Sequence, residues 1–178
     1  MKLLRKTKWV IVLIVVAASL FSTGTALANY LGPGHFGTNQ MDWCNTGSYA
    51  TQNQNAAAKW SVTTDLDIYT SCSGNNITTV GANYGNTGWA GNAYICSGVW
   101  GCDSWLQQQN TYTSCEARSN TYYLSSWTST QRQYVATHEL GHCWSLAHDS
   151  RSTSVMQNGQ FSIINPDTDN VTDVNNRH

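Results

Sequence analysis

The pattern of apolar and polar positions changes character several times along the chain, and each change marks an element. Residues 10–20 are almost wholly apolar and follow a basic stretch holding Lys2, Arg5, Lys6 and Lys8. That run is shorter than the ~20 residues a spanning helix needs. Ala26-Leu27-Ala28 then offers a small-x-small cleavage site, so residues 1–28 have the pattern of an export signal, leaving 29–178 as a single domain. Residues 29–43 hold glycines and a proline without periodicity, which predicts an irregular arm. Tyr49, Ala50, Ala56, Ala57 and Trp60 fall at helical spacing and predict a helix over 48–60. Leu66 and Ile68 alternate with Asp65 and Asp67, predicting a strand over 62–71. Ile77 and Val80 predict another over 76–81, followed by a Gly/Asn-rich turn at 83–88. Residues 89–96 form a candidate edge strand and 113–120 a further strand. A longer helix is expected over 128–146, with Thr130 and Gln133 as a capping box and Val135, Leu140 and Trp144 turned to protein. Asn165-Pro166-Asp167-Thr168-Asp169 opens a short final helix that Val171 and Val174 would anchor.

Composition sharpens this outline in two respects. Removal of residues 1–28 takes four of the nine basic residues and none of the ten acids, so the remaining 150 residues carry a net charge of −5. An acidic surface argues against nucleic acid or an anionic membrane as a stable partner. Cys44, Cys72, Cys96, Cys102, Cys115 and Cys143 all lie after the signal. An even count in an exported chain predicts up to three disulfides, in any of fifteen connectivities. Only Cys96 and Cys102 stand close enough to suggest a local loop.

Candidate chemistry concentrates in one stretch, His138-Glu139-Leu140-Gly141-His142-Cys143-Trp144-Ser145-Leu146-Ala147-His148-Asp149. On a helix, His138 and His142 share one face, so both imidazoles can reach one metal ion. Glu139 lies beside the first ligand, placed to act on water rather than on the metal. His148 would be carried past the site by a continued helix, so the chain must turn back after about Ser145. Three protein ligands with a fourth position open are the mark of a catalytic zinc site; a structural site is closed by a fourth ligand.

This stretch resembles the metzincin signature, His-Glu-x-x-His-x-x-Gly-x-x-His, at every position but the glycine, which here is Ser145. Met156 in Ser154-Val155-Met156 stands where matrixin-like metzincins have the methionine of their methionine turn. Tyr122-Tyr123-Leu124 and the segment from Tyr84 to Gly91 are similar to the approach to the active-site helix and the edge-strand region of bacterial matrixin-like proteases. The resemblance implies an α+β, zincin-like fold: a twisted mixed sheet, an active-site helix and a small C-terminal subdomain. It implies a secreted zinc endopeptidase with one catalytic Zn2+ held by His138, His142 and His148 and with Glu139 as general base. A protein or peptide substrate would pair with the edge strand at Trp89, Ala90 and Gly91, and residues after Met156 would wall a side-chain pocket. Family members often hold structural Ca2+, for which Asp42, Asp65, Asp67, Asp103 and Asp167 are candidates. Ser145 in place of glycine predicts a distorted loop with the ligand retained, and Asp149 either braces that turn or is solvated. An inactive domain of the same fold, binding partners through an aromatic groove, is the alternative from another class; a zinc hydrolase acting on a small amide is a second.

Overall fold

The structure, a computed structural model, describes residues 30–178 apart from 75, 99–100, 103–108 and 160. The expected signal segment and Asp103 lie outside the described residues. The protein is a mixed α+β fold; its described residues form one six-stranded sheet in the order β2-β1-β3-β6-β4-β5 and four helices. Strands β1 (Gln40–Gly47), β2 (Asp67–Thr70), β3 (Ile77–Ala82) and β6 (Tyr112–Asn120) pair in parallel. β4 (Gly91–Ser97) runs antiparallel to β6, and the two-residue β5 (Gly101–Cys102) pairs only with Cys96 and Ser97.

Helices α1 (Ala50–Thr63) and α3 (Ser129–Cys143) pack against each other and against the sheet. The buried face of α1 is Asn53, Ala56, Ala57 and Trp60, a spacing that leaves one continuous stripe. Trp60 is fully buried and its Nε1 donates to the Thr137 carbonyl at 3.0 Å, tying the two helices together. Helix α3 is buried on nearly every side from Gln133 to Cys143, as befits the central element of the domain. Short α2 (Thr121–Leu124) precedes it, and α4 (Thr168–Arg177) closes the described fold.

Several boundaries differ from the sequence expectation. The arm ends at Asn39: β1 was hidden among glycines, although Met41 and Trp43 bury alternately with the half-buried Asp42. Helix α1 runs through Val62 and Thr63, which β propensity assigned to the next strand. Thr64 Oγ1 and N both donate to the Trp60 carbonyl and cap the longer helix, so β2 begins only at Asp67. The capping box of α3 is Thr128 with Gln131, not Thr130 with Gln133. Thr128 has the extended backbone a cap requires, and its hydroxyl accepts from Gln131 N at 3.3 Å. In α4, Val174 is buried while Val171 is only half-buried; Asn170 and Asp173 fill the rest of the face.

All six cysteines are paired, as Cys44–Cys72, Cys96–Cys102 and Cys115–Cys143. The first ties β1 to the segment after β2, the second closes the β4–β5 hairpin, and the third bonds β6 to the last residue of α3. No helix among the described residues is long and apolar enough to cross a membrane.

Candidate metal centre and its cleft

Helix α3 supplies His138 and His142 one turn apart, and their rings lie 4.7 Å centroid to centroid. The helix then ends in a Schellman cap. Leu146 N donates to the Gly141 carbonyl at 3.0 Å and Ser145 N to the His142 carbonyl at 2.9 Å. Such a cap needs a left-handed residue at the position occupied here by Ser145, whose φ is 74°. The turn is therefore the regular one, not the distorted loop expected of a non-glycine residue. Its conformational cost, ~1–2 kcal/mol, is offset by what the side chain does. Ser145 is fully buried and its hydroxyl donates to the Gly34 carbonyl at 2.6 Å while accepting from Arg177 at 3.3 Å. Leu31 N donates to the Ser145 carbonyl, and Tyr30 bridges Leu146, so the irregular arm lies along the reversed chain.

The reversal delivers His148, with ring centroids 5.1 Å from His138 and 4.9 Å from His142. One ligand nitrogen from each of the three lies within 4.8 Å of the others. Nδ1 of His138 is 2.8 Å from the Val155 carbonyl, and Nδ1 of His142 is 2.7 Å from the Leu146 carbonyl. A carbonyl only accepts, so each Nδ1 carries the proton and each Nε2 keeps a lone pair for the centre. Burial lowers the His138 pKa to about 4, with His148 adding to the shift, and burial together with His138 lowers His142 to about 3. His138 and His142 are therefore neutral at pH 7, the form in which an imidazole can ligate a metal. The donor set fits a first-row divalent ion with open positions, zinc among them. Among the described residues this is the one group of three or more His, Cys, Asp or Glu side chains close enough to share an ion. The aspartates considered for calcium that lie within the described residues form no such group; Asp167 instead caps α4 and faces Arg151 at 3.6 Å.

Beneath the histidines, Met156 is fully buried. A Cβ on Gly141 would sit 2.2 Å from its Sδ, so that glycine gives the sulfur its seat against the helix. Ser154 shapes the turn: its hydroxyl accepts from Met156 N at 3.1 Å and bonds Asn170 of α4 at 3.1 Å. Asp149 braces the segment rather than being merely solvated. Its backbone N donates to the Met156 carbonyl at 3.0 Å and its carboxylate takes Arg151 Nε at 2.6 Å, which holds its pKa below the usual range against the opposing effect of burial.

Glu139 is buried against the start of β4. A Cβ on Gly91 would stand 2.4 Å from its Oε1, and the Ala93 N–H faces its carboxylate. Burial raises its pKa to about 8, only partly countered by that N–H. A cation in the cluster would act on this group in the opposite sense. From Gly91 to Ile95 the outer edge of β4 has no strand partner among the described residues. Two cavities flank the histidines along it. One, of about 270 Å3, lies between Leu31, Asn92, Ile95, Glu139, His142 and His148. The other, of about 290 Å3, runs beneath Trp89 and Ala90 to Trp127, Tyr134, Val135 and Phe161. Trp89 and Ala90 precede β4 rather than belonging to it, yet with Gly91 they line this second cavity.

Sequence reasoning passed over two residues that line the cleft, Tyr134 and Leu31, and one behind it, Asn120. Tyr134 donates to the Gln157 carbonyl at 2.6 Å and stands 3.3 Å from His138 Nδ1; its position one turn before His138 could have signalled it. Leu31, in the arm, and Asn120, at the end of β6, carried no local signal. No known protein-family model matches the chain, and no curated protein matches it at a significant level.

Proposed function

We propose that the chain is an exported, zinc-dependent endopeptidase of the metzincin type. The observation that carries this reading is the meeting of three imidazoles, each of the helical pair fixed through Nδ1 to a backbone carbonyl, with Glu139 alongside and a strand edge that has no partner among the described residues bordering the cleft. His138, His142 and His148 would hold the zinc, which when bound supplies a Lewis acid that polarises a carbonyl and lowers the pKa of water to about 7. An extended peptide would add to β4 through main-chain hydrogen bonds at Gly91–Ile95. The residue following the scissile bond would place its side chain in the cavity between Trp89, Trp127 and Phe161. Glu139 accepts a proton as the water oxygen bonds to the peptide carbon, then passes it to the amine as the carbon–nitrogen bond breaks. Gly91 lets the strand approach closely enough to keep Glu139 beside the bound peptide. The three disulfides and the basic-apolar leader support a role outside the cell.

The test is metal content together with cleavage of unfolded casein, comparing the protein lacking residues 1–28 with its Glu139→Gln variant. One zinc in both, with chelator-sensitive cleavage in the parent alone, is the expected result. Absence of zinc from the parent would defeat the proposal, and undiminished cleavage by the variant would remove Glu139 from the reaction.

A further inference from the structure

Asn120 is fully buried and lines neither cavity, yet its side chain bonds the backbone of the loop that walls one of them. Its Oδ1 accepts from Tyr84 N at 3.0 Å and Tyr122 N at 3.1 Å. Its Nδ2 faces the Gly85 carbonyl and Thr87 Oγ1, each at 2.9 Å, and the Trp89 carbonyl at 3.3 Å. Its backbone N donates to the Ala90 carbonyl at 2.8 Å. One side chain thus caps α2 and supplies the interior of the loop over 84–90. Gly85 and Gly88 take left-handed conformations; the Tyr123 hydroxyl, accepting from Gly88 N at 2.8 Å and donating to Asn86, grips the loop from another side, and Arg118 lies over the Tyr84 ring, which packs against Trp89. The far end of this loop is the upper wall of the second cavity: Gly88, Trp89 and Ala90 lead straight into Gly91, where β4 meets Glu139.

We propose that Asn120 is a positioning residue for the bound ligand: by shaping the 84–90 loop from within, it sets the fit of the side chain that enters the cavity beneath Trp89, without touching ligand or metal. This rests on the endopeptidase reading above. Its signature is selectivity. Loss of the amide should weaken ligands that fill the cavity and spare ligands that reach only the imidazole cluster, since none of the atoms Asn120 bonds belongs to His138, His142, His148 or the methionine turn.

The experiment uses the zinc-loaded protein and two probes measured by calorimetry. Acetohydroxamate reaches only the metal cluster; a peptide hydroxamate with a bulky hydrophobic side chain extends into the cavity. In Asn120→Asp, both acceptor bonds survive while carboxylate oxygens face the Gly85 and Trp89 carbonyls; in Asn120→Ala all five side-chain contacts go. Both variants are expected to bind the peptide hydroxamate about 10- to 100-fold more weakly, the loss of one or two buried hydrogen bonds. Acetohydroxamate affinity and zinc stoichiometry should stay within about threefold of the parent, and casein cleavage should suffer in KM more than in kcat. Tyr123→Phe, which removes only the outer grip on Gly88, should show the same selectivity to a smaller extent and serves if Asn120→Ala does not fold. Equal weakening of both probes, or of neither, would overturn the proposal. Failure of the zinc-loaded parent to bind either probe would instead bring down the endopeptidase reading, and this inference with it.

Discussion

Two of the disulfides make a matched pair. Cys44–Cys72 and Cys115–Cys143 each span a sequence separation of 28, so each removes the same loop-closure entropy from the unfolded chain. On the chain-entropy account that is about 3.6 kcal/mol apiece. Native-state consequences differ. Cys115 and Cys143 are both buried, so their replacement by alanine also leaves a void, worth on the order of 1 kcal/mol per lost sulfur; in the other pair only Cys44 is buried, Cys72 being exposed. More telling is location. Cys143 is the last residue of α3 and the neighbour of His142, so its bond to β6 fixes the end of the ligand helix against the sheet. Cys44–Cys72 lies at the far side of the sheet, on β1 and beyond β2. Urea titration of the metal-free proteins should find Cys44→Ala/Cys72→Ala destabilised by about 4–5 kcal/mol and Cys115→Ala/Cys143→Ala by about 5–6. Zinc affinity, measured by chelator competition in buffer where both variants are folded, should fall at least ~10-fold in the second and within about twofold in the first, in line with the usual effect of loosening a ligand's support. Equal zinc affinity in the two variants would refute the idea that this bond orients His142, and would leave it as a constraint on the unfolded chain alone.

Two further outcomes follow from the ends of the fold. Ser145→Gly exchanges a left-handed strain for a lost hydrogen bond to Gly34, so its stability should lie within about 1 kcal/mol of the parent. Ser145→Ala keeps the strain and loses the bond, and should be about 1–2 kcal/mol less stable, as read by thermal melts; an alanine variant as stable as the glycine variant would contradict this account. His178 packs by Trp144, His35 and Arg177, and burial lowers its pKa to about 4 from 6.5, with both basic neighbours adding to the shift. Its folded pKa lies below the unfolded one, so its neutral form is no burden above pH 6.5 and stability is lost as pH falls from 6.5 through 4. Denaturation of the metal-free protein at pH 7 and 4.5 should show this loss shrink by about 1–2 kcal/mol in His178→Gln, allowing for partial exposure; an unchanged acid slope would exclude the residue.

The three-histidine cluster was legible because helix periodicity places His138 and His142 together, and because a third histidine six residues later needs a reversal to join them. Ser145 showed that the requirement is for a left-handed residue and a satisfied interior, not for glycine as such. β1 escaped notice because Gln40-Met41-Asp42-Trp43 alternates for only four residues beside a glycine-rich arm, too short a pattern to stand out until parallel neighbours on both sides supply its hydrogen bonds. α1 overran its expected end because a threonine cap and packing of Trp60 outweighed the β propensity of Val62 and Thr63. Asn120 could not have been found as a loop organiser locally: apart from Tyr122 N, which it caps, the atoms it bonds lie 30 or more residues away, and an asparagine at a strand end is ordinarily a turn residue.

The junction at Ser145 also bears on the order in which the protein assembles. Its hydroxyl meets Gly34 across a separation of 111 residues, Arg177 reaches the Gly32 carbonyl across 145, and Tyr30 reaches the Asp173 carbonyl across 143. Contacts so distant in sequence close slowly, because most of the chain must already be in place to bring them together. His138 and His142 become neighbours as soon as α3 winds, a matter of local structure. The turn that carries His148 is stitched to both extremes of the described chain, so the third imidazole of the cluster is secured late. A nascent or partly folded molecule would hold two imidazoles and an unanchored third, and full metal affinity would arrive with the last contacts to form.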